Sequence, residues 1–237
     1  MAIVNLELRV PQQLSAITLE QYQRYLAIAK NVDEEDKENE FLNLKALEIF
    51  CGLSLKDSYN LPVSTFESIL IQLSNCFKEE TDLVQRFHMT GTDGVTVEFG
   101  MIPNLDKMSF GEYIDLESYI VNWDNMHKAM AVMYRPIIAG KGELYKIEPY
   151  EGSEKWADVM KDAPVNVALG AMVFFYRLGT KLSRYTMNSL LEEKTEESIA
   201  LKQALEKSGV GINQYMGLLE GMSKELSQSL RYSYTPA

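Results

Sequence analysis

Two side chains in this 237-residue sequence could carry a proton near neutral pH, His88 and His127. His88 lies between Phe87 and Met89, and His127 stands two residues before Ala129. Neither falls in a zinc-type ligand spacing, and one imidazole cannot complete a metal site. Carboxylates cluster at Glu112, Asp115 and Glu117, but all three fall on one predicted helix. Paired-carboxylate catalysis needs acids that converge from separate elements. Glu112 has a structural task as the third residue of a capping box, and Asp115 sits where negative charge suits the helix dipole. Gly140-Lys141-Gly142 is too short for a phosphate loop and lacks the Ser or Thr that should follow. No Gly-x-Ser-x-Gly turn is present. Cys51 and Cys76 match no zinc or redox spacing and are expected to be buried free thiols. The expectation is therefore no catalytic residue, no cofactor and no metal.

The formal charge of −11, with no basic run, argues against tracking a phosphate backbone, so no nucleic-acid partner is expected. The N-terminus shows no basic start or apolar signal region. The longest apolar stretch, Val165 to Leu178, contains Asn166 and Arg177 and is shorter than the roughly 20 residues of a spanning helix. A soluble, intracellular protein without a membrane partner is expected.

The elements that must position these residues read as mainly helical. Thr18-Leu19-Glu20-Gln21 and Ser109-Phe110-Gly111-Glu112 are capping boxes, and Ser64-Thr65-Phe66-Glu67 has the same form. Helices are predicted from Thr18, from Glu40 to a stop at Gly52, and from Ser64 through Phe77. Others are predicted from Ser109 to about Val121 and from Asp124 to Tyr134, where Arg135-Pro136 ends the run. Asp162-Ala163-Pro164 reads as an N-cap with proline in the first turn of a long helix. Two further helices are predicted at 197–208 and 212–230. Val4, Leu6, Leu8 and Val10 alternate with polar residues as a half-buried strand would. Val84 to Thr90 and Val95 to Met101 flank Gly91-Thr92-Asp93-Gly94, a hairpin signal, and Glu143 to Tyr150 is a further strand candidate. A hairpin alone is marginal in water, so it should pair with the N-terminal strand.

One pattern recurs. Val10-Pro11, a capped helix ending its first turn in Tyr22, and an apolar helix to Phe50 are echoed by Ile102-Pro103, Ser109 to Tyr113, and Lys128 to Met133. The expected fold is α+β, mainly α: a helical frame with a small antiparallel sheet (N-terminal strand plus hairpin) and an internal pseudo-repeat. Residues 1–152 should form the duplicated domain, and 153–237 a helical region packed with it or apart from it.

With no chemistry expected, contact residues are the candidates. Met126, Met130 and Met133 share a helical face, and Arg135 either caps that helix or meets an acidic partner. Phe174 and Phe175 lie in the apolar run, while Tyr215, Met216 and Met222 fall in the last predicted helix.

Two segments carry a family likeness. Ile102-Pro103-Asn104-Leu105-Asp106 followed by Ser109 to Leu116, then Ala129-Met130-Ala131-Val132-Met133-Tyr134-Arg135-Pro136, resembles a pattern of tailed-bacteriophage morphogenesis proteins. Pro164 to Leu178, with Phe174-Phe175-Tyr176, is similar to the helix that follows in such proteins. The resemblance implies a non-enzymatic role in tail or head–tail assembly, as a tail-assembly chaperone or a virion component. Its partners would be other phage structural proteins or copies of itself, met in the host cytoplasm or in the particle. The rival expectation is an enzyme or small-molecule-binding module with a cleft between the two repeats, where an imidazole meets carboxylates.

Overall fold

The computed structural model describes residues 8–31, 40–90, 94–142 and 144–177. Helices α1 (Leu19–Ala29), α2 (Glu40–Cys51), α3 (Leu55–Tyr59) and α4 (Val63–Phe77) precede a hairpin of β1 (Arg86–Thr90) and β2 (Thr96–Met101). Then come α5 (Phe110–Ile120), α6 (Met126–Met133), β3 (Tyr134–Lys141), β4 (Leu144–Ile147) and α7 (Glu154–Met160). A further helix, α8, is described over 165–177. The fold is α+β, mainly helical, with one four-stranded antiparallel sheet in the order β1-β2-β3-β4.

Two reciprocal caps start the frame. Gln21 N donates to Thr18 Oγ1 (3.2 Å) while Thr18 N donates to Gln21 Oε1 (2.9 Å). Glu112 N donates to Ser109 Oγ (3.3 Å) while Ser109 N donates to Glu112 Oε2 (2.6 Å). Each cap satisfies two helix-end amides that would otherwise lack partners. Ser109→Ala should lower unfolding free energy by about 1 kcal/mol, read from urea denaturation, with the α5 end fraying first.

The echo is local. Pro11, a 3-10 turn at Leu14–Ala16, the Thr18 cap and an 11-residue helix match Pro103, a 3-10 turn at Leu105–Lys107, the Ser109 cap and another 11-residue helix. Beyond the capped helices the copies part. α2 ends at Gly52, whose φ of +68° stops a helix at little cost, whereas α6 passes directly into β3.

Three expectations need correction. Residues 8–10 are not strand, and 1–7 lie outside the described residues. The segment after them packs on α4 instead: the Cys76 thiol (3.2 Å) and Gln72 Nε2 (3.3 Å) donate to Pro11 O, and Leu14 N donates to Glu79 Oε2 (3.0 Å). The sheet's third strand is β3, whose Tyr134, Arg135 and Pro136 pair with Met101, Gly100 and Phe99. Next, α4 starts at Val63 after Pro62, whose carbonyl accepts from Thr65 N and Phe66 N. Ser64 is thereby already inside the first turn, and the predicted box does not form. Finally, α8 starts at 165, so Asp162 does not cap it. The hairpin itself is as expected, but its ladder closes with Thr90 opposite Thr96, a longer link than a two-residue turn.

The backbone between α7 and α8 serves α1. Leu19 N donates to Ala163 O and Glu20 N to Lys161 O, both at 2.8 Å, and Val165 N donates to Ile17 O (2.9 Å). Carbonyls leaving one helix thus fill the empty first-turn amides of another, aligning opposite dipole ends. One core joins α1, α2 and α4 to Phe87, Phe99 and Met101 of the sheet, to α5, α6 and α7, and to Val165, Ala168 and Met172 of α8. The described residues beyond 153 therefore share the core of the first region. The predicted helices at 197–208 and 212–230 lie outside the described residues.

Candidate functional site

The charged residues most able to do chemistry are drawn together where β3 leaves α6. Arg135 and Glu112 have side chains only 7% and 8% exposed and meet at 2.5 Å, Nη2 donating to Oε1. Arg135 Nε donates to Glu148 O (2.8 Å), and Nη1 to Val132 O (3.0 Å). Its guanidinium lies 5.2 Å from the centre of the Tyr150 ring. Tyr150 Oη donates to Asp115 Oδ2. Glu148 in turn accepts from Lys155 Nζ (2.6 Å) and Trp156 Nε1 (2.7 Å).

This cluster ties α5, β3, the chain after β4 and α7. Burial pushes the Glu112 carboxyl up, but the Ser109 amide and hydroxyl and the Arg135 guanidinium outweigh it and hold the group below its usual 4.5. Glu148 is held below its usual value chiefly by Lys155. Burial and the Asp115 carboxylate push the Tyr150 phenol up. Glu112 and Glu148 are favoured in their charged forms, and Glu112, Glu148 and Asp115 are each already bonded, so the arrangement is that of a clamp. Arg135 does reach the last carbonyls of α6, as a capping residue would, but from a strand and while buried against an acid.

The other candidates are dispersed. His88 is exposed on β1 opposite Glu98, while His127 accepts from Gln23 Nε2 at Nδ1 (3.2 Å) at the edge of α6. Glu117 is half-buried on α5, and Gly140 and Lys141 end β3 while Gly142 follows it, its O accepting from Arg86 Nη2 (2.7 Å). Cys51 and Cys76 are free thiols, and burial pushes the Cys51 thiol up to about 11, which leaves it unreactive at neutral pH. Among the described residues no group of three or more His, Cys, Asp or Glu could hold a metal ion. A cavity of about 740 Å³ lies beside the first copy, lined by residues 8–13, Ala16, Phe50 and Gln72. Neither imidazole lines it, so the described cavity is not the expected cleft between repeats.

The contact candidates also move. Met126, Met130 and Met133 are each 0% exposed, and Arg135 is 6% exposed. They offer no surface to a partner, because α6 is enclosed by α5, α7 and the start of β3. Phe174 and Phe175 are half-buried and pack edge to face at 5.3 Å. Tyr215, Met216 and Met222 lie outside the described residues. One apolar face that does look outward is Phe110 (81% exposed), Tyr113 and Ile114, adjacent on α5, which periodicity passed over. The exposed first residue of a capped helix was the available signal. No described helix is long and apolar enough to cross a membrane.

Comparison with protein-family models, with curated proteins and with solved structures found no match for this chain. Its function must therefore be inferred from its own residues.

Proposed function

We propose that the chain is a non-enzymatic morphogenesis protein of a tailed bacteriophage, acting through protein contacts in tail or head–tail assembly. One observation carries this. The first of the two segments that resemble such proteins, made of 102–106, 109–116 and 129–136, folds as one unit closed by the buried Glu112–Arg135 pair. The shared residues are thus framework residues, and the unit presents Phe110, Tyr113 and Ile114 outward on its capped helix. A rigid element with an exposed aromatic and aliphatic face suits docking to another protein. Its partners would be phage structural proteins or further copies, met in the host cytoplasm, and the strong negative charge fits a protein that does not hold nucleic acid.

Mass spectrometry of purified particles and of assembly intermediates tests the proposal. Stoichiometric presence in particles makes the chain a virion component. Presence in intermediates alone makes it a tail-assembly chaperone. Absence from both, with normal particle yield after deletion of the gene, overturns the proposal. Phe110→Asp should change stability by no more than about 0.5 kcal/mol in thermal melts, since the site is exposed. It should nevertheless reduce the yield of complete particles.

A further inference from the structure

The first helix meets the rest of the molecule through a side-chain amide whose two hydrogens are both committed. Gln23 Nε2, on α1, donates to the backbone carbonyl of Trp123 and approaches His127 Nδ1 at 3.2 Å. A carbonyl can only accept, so the amide atom facing Trp123 must be the nitrogen. The same nitrogen faces His127, so Nδ1 must be the accepting, unprotonated nitrogen of that ring. Turning the amide over to accept from a protonated Nδ1 would set its oxygen against the Trp123 carbonyl. The ring and the joint are therefore compatible in one protonation state only.

We propose that Gln23, Trp123 and His127 form a proton-sensitive joint that holds α1 against the Trp123–Asn125 turn and α6 when His127 is neutral, and loosens when it is protonated. The parts it joins are otherwise apolar: Trp123 is 1% exposed and stands edge to face with Tyr22 at 5.0 Å. A further tie across this contact is the ion pair of Lys30 with Asp124 at 3.8 Å. The charges facing His127 come from two elements. Lys128 lies on α6 beside it, while Glu154 and Asp158 of α7, with Lys161 just after, face it from that side. Most of these are already paired, Lys128 with Glu154 (3.3 Å) and Lys161 with Asp158 (2.5 Å). Each carboxylate that faces the ring is thus shared with a lysine, which offsets its attraction for an imidazolium.

Burial, then Lys161 and Lys128, push the imidazole below its usual 6.5 against the pull of Asp158 and Glu154. A lowered folded value means that the joint's contribution is whole above about pH 6.5 and is lost as pH falls through the lowered value. Carboxylates ordinarily titrate below this window.

Two measurements on the full chain test the joint. Long-range ¹H–¹⁵N spectra, with exposed His88 as the internal reference, should show neutral His127 as the Nε2–H tautomer. A Nδ1–H tautomer overturns the proposal. The urea midpoint of the wild type should fall between about pH 7 and about pH 5.5, whereas that of His127→Gln should stay flat across the same range. Parallel curves for the two proteins overturn it as well. Should His127→Gln fail to fold, the tautomer and the titration of His127 in the wild type still decide. A ring that titrates at or above the value of a free imidazole is the third result that sinks the joint.

Discussion

Arg135→Ala should lower the unfolding free energy by about 3–5 kcal/mol, the loss expected when one partner of a buried ion pair is removed. The Glu112 carboxylate would remain in a site where its side chain is 8% exposed, with only the Ser109 groups to satisfy it. The Glu148 and Val132 carbonyls would lose their donors at the same time. Glu112→Gln should cost less, because the amide keeps a hydrogen bond acceptor toward the guanidinium. The double variant Arg135→Met with Glu112→Leu should recover most of the loss, since well-packed apolar groups often replace a buried pair at little cost. A double-mutant cycle in urea reads the coupling directly. The pair also sets an acid limit. Because the Glu112 value is lowered on folding, its contribution is whole above about pH 4.5 and is lost as pH falls through the lowered value. In Arg135→Ala that acid-dependent loss should shrink, and an unchanged slope would separate the carboxylate from Arg135.

The second large effect comes from a glycine. A Cβ built on Gly170 would lie 2.2 Å from the Asp82 carbonyl oxygen and 3.0 Å from its carbon. Both are backbone atoms and cannot rotate aside, so α8 or the strand approach must shift. Gly170→Ala should therefore destabilise by about 1–3 kcal/mol or more, and Gly170→Val further still. Gly111 on α5 supplies the opposite sign. Its nearest neighbour to an added Cβ is the Tyr150 ring at 4.0 Å, so Gly111→Ala should stabilise by about 0.5–1 kcal/mol. Comparable gains at both positions would mean that helix propensity, and not the close approach, governs Gly170.

Much of the frame was legible because its signals are local. A Thr or Ser followed three residues later by Gln or Glu marks two helix starts correctly, since the donors and acceptors involved lie within one turn. The same pattern misleads at Ser64, where Pro62 precedes the first helical residue, Val63, and Ser64 instead offers its carbonyl to the Ser68 hydroxyl one turn on. β3 was hidden by Pro136, which reads as a stop. Its missing amide is harmless because Pro136 is the last residue paired with β2, and the β4 ladder begins at Ile137. α7 is seven residues long, too short for its periodicity to register.

The site was less legible than the fold. Met126, Met130 and Met133 share a stripe whether that stripe faces core or partner, and only the packing of α5 and α7 around α6 decides between them. Arg135 and Glu112 are 23 residues apart, and their pairing depends on a sheet register that no local pattern encodes. Gln23 and His127, 104 residues apart, meet for the same reason.

The carbonyls of Lys161 and Ala163 that complete α1 have a bearing on biosynthesis. As the nascent chain leaves the ribosome, α1 emerges well before the groups that finish its hydrogen bonding, which are translated some 140 residues afterwards. At about 5–20 residues per second the delay is on the order of ten seconds. Throughout it, Leu19, Tyr22 and Leu26 lack part of the surface that finally covers them. Helix α1 thus completes its docking long after its own synthesis, and a chain truncated before Lys161 should emerge as a partly folded, aggregation-prone species.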